Sequence, residues 1–186
     1  MRHGQAISNV KDLCSSWPEK INNPLTKVGK EMIRESAQKL KNTCAEQGRS
    51  IDLIFASPLL RTQQTAGIVA KKLKLKIITD KRLREIDFGI FSGGPLESMW
   101  KYFKSEEERI KRRSPMGENY TEVLKRVKSF LSEVNKKYKD KNILIVSHDG
   151  PLTFLQGEVM GLSLKETITK FSLDARIHKG EIRELN

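Results

Sequence analysis

The 186-residue chain is 37% hydrophobic and 31% charged, and its formal net charge is +12 at pH 7. This balance is typical of one soluble globular domain, and no apolar run reaches the roughly 20 residues of a membrane-spanning helix. Two cysteines, Cys14 and Cys44, are too few and too far apart for a disulfide framework or a Cys-x-x-Cys site.

The first residues, Met1-Arg2-His3-Gly4, are followed by small and polar residues rather than by the apolar segment of a secretory signal, so we expect a cytoplasmic location. Further on, Thr26 is a suitable N-cap for a helix. Apolar residues then recur at helical spacing, which predicts an amphipathic helix. Its predicted apolar face consists of Val28, Met32, Ile33, Ala37, Leu40 and Cys44.

Three short apolar runs predict buried strands, at residues 52–56, 76–79 and 142–146. Near the C-terminus, residues 175–178 and 181–185 alternate between apolar and polar around a Lys-Gly pair, which predicts a half-exposed hairpin or sheet edge.

Helical patterns fill the intervals between the strands. Pro58 fits the first turn of a helix that continues through Arg61, and Pro151 opens another that Gly161 closes. Residues 120–138 keep a three-and-four spacing of apolar residues throughout. Strands that alternate with helices predict an α/β protein whose mostly parallel sheet is covered on both faces.

The least regular stretch is 93–116, which begins with Gly-Gly-Pro, continues as a charged helical pattern and ends at Ser-Pro. We expect one domain, 1–186, that carries this stretch as a charged helical insertion. Its dense basic block, 109–113, follows three glutamates. We interpret the block as a solvated helix face with i,i+4 ion pairs rather than a nucleic-acid patch, because basic and acidic residues interleave along the chain.

The chemistry-bearing residues occupy the ends of strands. His3, Ser57 and His148 each follow a strand or a position where one should end, which is where ligands bind in open α/β sheets. Neutral imidazole is a competent nucleophile, and arginine binds two phosphate oxygens at once. Histidine and arginine without metal-ligand spacing indicate phosphoryl transfer through a phosphohistidine.

These segments resemble, in order and nearly end to end, the histidine phosphatase superfamily in its phosphoglycerate mutase-like branch. The resemblance rests on the Arg-His-Gly, Pro-Leu-Thr-x-x-Gly, Ser-Pro-Leu-x-Arg, Leu-Arg-Glu, Gly-Glu-Asn and Ser-His motifs at residues 2–4, 24–29, 57–61, 83–85, 117–119 and 147–148.

The resemblance implies a three-layer α/β/α sandwich of the phosphoglycerate mutase-like type, with no metal and no cofactor. It implies that His3 is the nucleophile and Glu85 the proton donor. The residues implied to surround the phosphate are Arg2, Asn9, Arg61 and His148.

The residues alone leave some roles open. Glu85 and Asp87 compete evenly for the role of general acid, and only the resemblance favours Glu85. Glu118 is more typical of an acid at a helix N-terminus, and His178 of an ordinary strand residue.

Two departures from the family pattern lead to further expectations. The family's Arg-His-Gly follows an apolar strand, whereas only Met1 precedes it here, so we expect the natural protein to begin upstream with the missing part of a first strand. Asp149 stands where a glycine often follows the second histidine. An extra carboxylate there should disfavour anionic substrates unless it points away.

The leading hypothesis is therefore a metal-independent phosphomonoesterase that acts on a small phosphorylated metabolite. The alternatives are a cofactor-dependent phosphoglycerate mutase-type phosphotransferase and a non-catalytic module that binds phosphate or RNA. We expect no membrane association and no specific nucleic-acid partner. The sequence predicts neither the particular substrate nor the oligomeric state.

Overall fold

The computed structural model describes residues 1–185. In this range, three parallel strands form a sheet in the order β2-β1-β3. Apolar and β-branched residues dominate the strands, as a sheet buried on both faces requires. The three predicted strands are confirmed, each beginning one residue later than expected. Their bounds are β1, Leu53–Ala56; β2, Ile77–Thr79; and β3, Ile143–Val146.

Helices cover both faces of the sheet. Their bounds are α1, Ile7–Val10; α2, Lys27–Glu46; α3, Leu60–Leu73; α4, Leu96–Tyr102; α5, Tyr120–Lys137; α6, Asp149–Val159; and α7, Leu164–Lys170. Ile54 of β1 packs against α2 and α3 in one core cluster, whereas its neighbour Phe55 packs against Phe130 of α5 in another. Successive strand residues thus enter different cores, and the predicted three-layer α/β/α arrangement is confirmed. No helix within residues 1–185 is both long enough and apolar enough to cross a membrane.

The first three residues run beside the carboxyl end of β3. Arg2 forms a parallel bridge with Ser147, and the amide of His3 donates to the Ser147 carbonyl at 3.1 Å. On the other side, the amide of Arg2 donates to the Glu181 carbonyl at 3.1 Å. The backbone on both sides therefore places His3 at the carboxyl edge of the sheet. The expected upstream strand stays a prediction.

The caps explain where the long helices begin. The Thr26 hydroxyl accepts from the Gly29 amide at 2.9 Å, as predicted, and Asn119 caps α5 in a capping box. The prediction that Val28 belongs to the apolar face of α2 is wrong, because Val28 is 60% exposed. Gly29 takes the buried position instead: a Cβ there would lie 2.0 Å from the Gln5 carbonyl oxygen, so only glycine allows this close approach.

Two predicted local structures need correction. Pro58 lies outside the first turn of α3, whose N-cap is Leu59. The C-terminal hairpin is wrong, since residues 176–185 contain no strand. The amide of Gly180 donates to the Arg2 carbonyl at 3.1 Å and the Glu181 carbonyl accepts from Arg2, so this segment pairs with the start of the chain. Within the segment, the Glu181 amide closes only a turn onto the His178 carbonyl, at 3.0 Å.

The stretch 93–116 is helical only in part. Helix α4 ends at Tyr102, and Glu107–Ile110 forms a single 3-10 turn. Arg112 does form the expected i,i+4 ion pair with Glu108, at 2.7 Å. Arg109, however, is only 4% exposed, so the interpretation of 109–113 as a solvated helix face is wrong for this residue, whereas Lys111 and Arg113 are exposed. Aromatic side chains from α4 and α5 surround this arginine and exclude water from it.

Candidate active site

A cavity of about 360 Å³ opens at the carboxyl edge of the sheet. Five of the six predicted site residues line it, namely Arg2, His3, Asn9, Arg61 and Glu85. The sixth, His148, is fully buried, and its ring centroid lies 5.2 Å from that of His3. Residues far apart in sequence therefore meet at one site, as the strand-end argument predicts.

His3 is held as a neutral imidazole. Its Nδ1 donates to the Gly4 carbonyl at 2.7 Å, and its Nε2 accepts from the Arg61 Nε at 3.1 Å. This network assigns the proton to Nδ1 and leaves the lone pair on Nε2. Burial, followed by the charge of Arg61, lowers the pKa of His3 well below 6.5. The ring is therefore neutral, with a nucleophilic Nε2, near neutral pH.

His148 has one ring nitrogen engaged and one open. Its Nε2 lies 2.8 Å from the Ser57 Oγ, whereas its buried Nδ1 has no hydrogen-bond partner among the described residues. Burial and the charge of Arg61 lower the pKa of His148 well below 6.5. A buried polar atom without a partner is costly, so an open ring nitrogen beside His3 favours a ligand at this position.

Arg61 is positioned by the loop that precedes α2. Its Nη2 donates to the Ser15 carbonyl at 2.9 Å, and its Nη1 donates to the Ser15 Oγ at 3.1 Å. Glu19 adds an ion pair at 3.4 Å. Burial lowers the pKa of Arg61 to about 10, so the guanidinium stays charged at neutral pH. Neither Ser15 nor Glu19 stood out in the sequence, because loop residues carry no periodic signal.

Glu85 is placed to exchange a proton inside the cavity. Burial raises its pKa above 4.5, and the nearby Asp149 raises it further, against the opposing charge of Arg61. Asp87, the competing candidate, is outside the cavity lining in the part of the chain that the structure describes. Its Oδ1 instead accepts from the Gly89 amide at 2.8 Å. The geometry therefore favours Glu85 over Asp87 as a general acid.

Arg2 and Asn9 are partly engaged by the protein itself. The Arg2 Nη1 donates to the Ile177 carbonyl at 2.9 Å, but its buried Nε has no partner among residues 1–185. The Asn9 Oδ1 accepts from the Ala6 amide at 2.9 Å. Asp149 lies 3.2 Å from the Arg2 Nη1, and its other oxygen accepts from Arg176 at 3.0 Å. Asp149 is therefore offset by two arginines, which weakens the expected penalty for anionic substrates.

Sequence reasoning missed a second group of cavity residues. They come from the stretch after α4 and from α5, α6 and the C-terminal segment: Arg109, Tyr120, Thr153 and Arg176. A partial signal existed, since Arg109 belongs to the dense charged block, but nothing in the pattern distinguished it from its exposed neighbours. Within residues 1–185, no three His, Cys, Asp or Glu side chains are grouped so that they could hold a metal ion.

Comparisons with known proteins agree on one family. The model of the histidine phosphatase superfamily, branch 1, matches residues 1–177. Phosphoserine phosphatase 1 of Hydrogenobacter thermophilus is 31% identical over 151 residues, which cover 78% of this chain and 69% of that protein. The protein named probable phosphoglycerate mutase GpmB of Yersinia enterocolitica is 31% identical over 171 residues, covering 87% and 74%.

A solved structure extends the likeness to the whole fold. The α-ribazole phosphatase from Shigella flexneri superposes with a TM-score of 0.77 at 25% sequence identity, over 97% of this chain and 85% of that one.

Proposed function

The chain belongs to branch 1 of the histidine phosphatase superfamily and is a phosphatase, and we propose that it hydrolyses a small phosphorylated metabolite through a phosphohistidine formed on His3, without a metal. The observation that carries the proposal is the state of His3: a buried, neutral ring whose Nε2 lies 3.1 Å from the charged Arg61. A nucleophile beside a fixed cation is what attack on a phosphate ester requires.

In the first half of the reaction, the His3 Nε2 gives up its hydrogen bond from the Arg61 Nε–H, and the freed lone pair attacks phosphorus in line with the leaving oxygen. The new N–P bond forms as the P–O bond to the substrate alcohol breaks, and protonated Glu85 supplies the proton that the leaving alkoxide needs. The Nδ1–H of His3 stays on the Gly4 carbonyl, which stabilises the positive charge that develops on the ring. Arg61 sits where it can offset the charge on the phosphate oxygens.

In the second half, water attacks the phosphorus and gives a proton to the Glu85 carboxylate. The N–P bond breaks, its electron pair returns to the His3 Nε2, and inorganic phosphate leaves. When the Ser57 hydroxyl donates to the His148 Nε2, the proton of this neutral ring lies on Nδ1. The Arg2 Nε and the His148 Nδ1, both buried without partners among the described residues, are then the open donors that would hold the phosphoryl group throughout. A bound phosphate would supply those partners.

A small substrate fits the site. The cavity of about 360 Å³ lies within the range of roughly 300 to 1,000 Å³ that is usual for small-molecule pockets. The two phosphatases compared above are named for phosphoserine and for α-ribazole, so their names do not single out one ester. We propose neither a specific nucleic-acid partner nor a membrane partner. A cytoplasmic location, and a single domain 1–186 with 93–116 as its insertion, are also part of the proposal.

The proposal is tested by trapping the intermediate. Brief incubation with labelled substrate and a chelator should give an acid-labile, base-stable phosphoprotein, because a phosphohistidine has that stability. His3→Ala should abolish both the label and turnover. The matched control is His178→Ala, since His178 is exposed and lies outside the cavity lining; this variant should keep both.

Two outcomes would contradict the proposal. Turnover above a few per cent of the native rate in His3→Ala would refute the nucleophile. Release of an isomeric phosphate ester, rather than inorganic phosphate, would identify the mutase reaction, which the likeness to the Yersinia protein keeps as the second candidate.

A further inference from the structure

Arg109 is a buried cation that the protein does not neutralise directly. It lines the same cavity as His3 and is enclosed by aromatic rings, with its guanidinium carbon 4.6 Å from the Tyr120 ring centroid and 5.4 Å from that of Trp100. Its Nη1 donates to the Tyr120 hydroxyl at 2.9 Å. Its Nη2 is buried and has no hydrogen-bond partner in the part of the chain that the structure describes.

The surrounding charges show why this group stands out. The other arginines of the cavity each have a carboxylate: Arg2 and Arg176 share Asp149, and Arg61 has Glu19. Within residues 1–185, no carboxylate oxygen lies within ion-pair distance of Arg109. Arg109 is connected to Glu106 only indirectly, because the Tyr120 hydroxyl donates to the Glu106 Oε1 at 2.9 Å. Glu106 also forms an ion pair with Arg176.

The ring contacts offset part of the cost of burying this charge, but they leave one N–H edge open. A buried guanidinium with an open donor is stabilised when an anion reaches it.

A second open group lies in the same cavity. Thr153, in α6, is buried there, and its Oγ1 has no hydrogen-bond partner among the described residues. We propose that the Arg109 Nη2 and the Thr153 Oγ1 form a subsite for a carboxylate of the substrate. The inference rests on the proposed phosphatase function and narrows its substrate class to phosphate monoesters of small carboxylic acids. A carboxylate has two oxygens, one for each of these donors, and its single charge balances that of Arg109.

The experiment compares two pairs of esters that differ mainly in the carboxylate. 3-Phosphoglycerate is matched with glycerol 3-phosphate, in which a hydroxymethyl group replaces the carboxylate, and phosphoserine with phosphoethanolamine. We expect the native protein to prefer the carboxylate of each pair by about 10- to 100-fold in kcat/KM, the range for hydrogen bonds to a charged group. Arg109→Met should bring both ratios close to one.

Matched variants separate a binding role from a structural one. Arg112→Met is the control, because Arg112 stacks on Tyr102 in the same segment but does not line the cavity; it should retain both ratios. Thr153→Val removes the second donor with almost no change in shape, and it should lower both ratios several-fold. If Arg109→Met does not fold, Thr153→Val and Arg109→Lys replace it. Their kcat/KM ratios for the carboxylate ester over its matched ester then decide between a binding role and a structural role.

The outcomes distinguish this inference from the proposed function. Native turnover of p-nitrophenyl phosphate without a preference for either carboxylate ester would overturn the subsite and leave the phosphatase standing. Equal ratios in the native protein, Arg109→Met and Thr153→Val would also overturn the subsite. Absence of native turnover of p-nitrophenyl phosphate would refute the function itself, and the inference with it.

Discussion

The pKa values of His3 and Glu85 move in opposite directions, although both groups are buried in one cavity. Burial disfavours the charged form of each, which favours the neutral histidine and shifts the carboxyl group toward its protonated form. These are the forms that a nucleophile and a general acid must have at the start of the reaction. Burial is therefore the largest cause of both pKa shifts. The charge of Arg61 is a smaller cause, and it lowers both pKa values.

The pH dependence of turnover should follow from these shifts. Because the pKa of His3 lies well below 6.5, the nucleophile stays neutral down to mildly acidic pH. Glu85, with a pKa raised above 4.5, loses its proton as the pH rises through that pKa. We expect kcat/KM for an alkyl phosphate to fall on the alkaline side. Glu85→Gln should remove that fall and slow alkyl esters by about 10²- to 10⁴-fold, as expected for loss of a general acid.

p-Nitrophenyl phosphate serves as the comparison, since its phenolate leaves without a proton. It should be slowed far less than an alkyl ester by Glu85→Gln. The titration of each ester appears alike in the profiles of the native protein and of Glu85→Gln, so the difference between the two proteins on one ester isolates Glu85. Asp87→Asn is the matched carboxylate control, and it should leave the dependence on the leaving group intact. Equal slowing of both esters by Glu85→Gln would show that Glu85 is not the acid.

Which site residues the sequence could predict depends on where they sit. Arg61 begins a helix, His148 follows β3, and His3 occupies a position where a strand should end, so the α/β pattern places all three at one edge. Ser15 and Arg109 reach the cavity from irregular backbone. In such segments no helical or strand periodicity of the sequence shows which way a side chain points. For such residues the packing of distant side chains decides burial, and that packing is absent from a local pattern.

The loop between α1 and α2 acts on the site through a buried asparagine. Asn23 is 0% exposed; its Oδ1 accepts from the Ser8 amide at 2.8 Å, and its Nδ2 donates to the Ser15 Oγ at 2.9 Å. Ser15 in turn holds two nitrogens of Arg61. Asn23 is therefore a positioning residue, because it fixes the loop that holds Arg61.

Replacing this asparagine should affect both stability and substrate binding. Asn23→Leu leaves the Ser8 amide unpaired in the interior, at a cost of about 1–3 kcal/mol in the free energy of unfolding. It should also raise KM more than it lowers kcat, since Arg61 loses its support. Asn22→Leu is the matched control at an exposed neighbouring position and should change neither quantity. A loss of stability with KM unchanged would limit Asn23 to a structural role.

The elements themselves were predictable to different degrees. Helix α2 carries its cap and apolar period in the sequence and α5 its apolar period, and both helices form where predicted, with Val28 as the exception on the α2 face. The end of the chain, 176–185, alternates like a strand but forms none, because its backbone donors and acceptors pair with Arg2 and with the Glu181 side chain. Alternation shows which side chains could share a face, but it does not show which backbone the segment will meet.

At the scale of the whole molecule, the charge of +12 is dispersed and partly paired. Arg112 and Arg113, the densest exposed basic pair of the block 109–113, form ion pairs with Glu108 and Glu122. Arg109, between them and α4, is buried. The surface therefore attracts polyanions through its overall charge rather than through a contiguous patch, which predicts weak and unspecific binding.

This expectation is tested with a mixed-sequence oligonucleotide titrated at several salt concentrations. We expect dissociation constants in the non-specific range, about 10⁻⁶ to 10⁻⁴ M at physiological salt. Arg112→Ala with Arg113→Ala should change the slope of binding against salt no more than Lys71→Ala with Lys72→Ala, an exposed adjacent pair on α3. A patch that binds phosphates would instead lose about one unit of slope for each arginine removed. Sub-micromolar binding at physiological salt, weakened only by the arginine pair, would make nucleic acid a partner of this face.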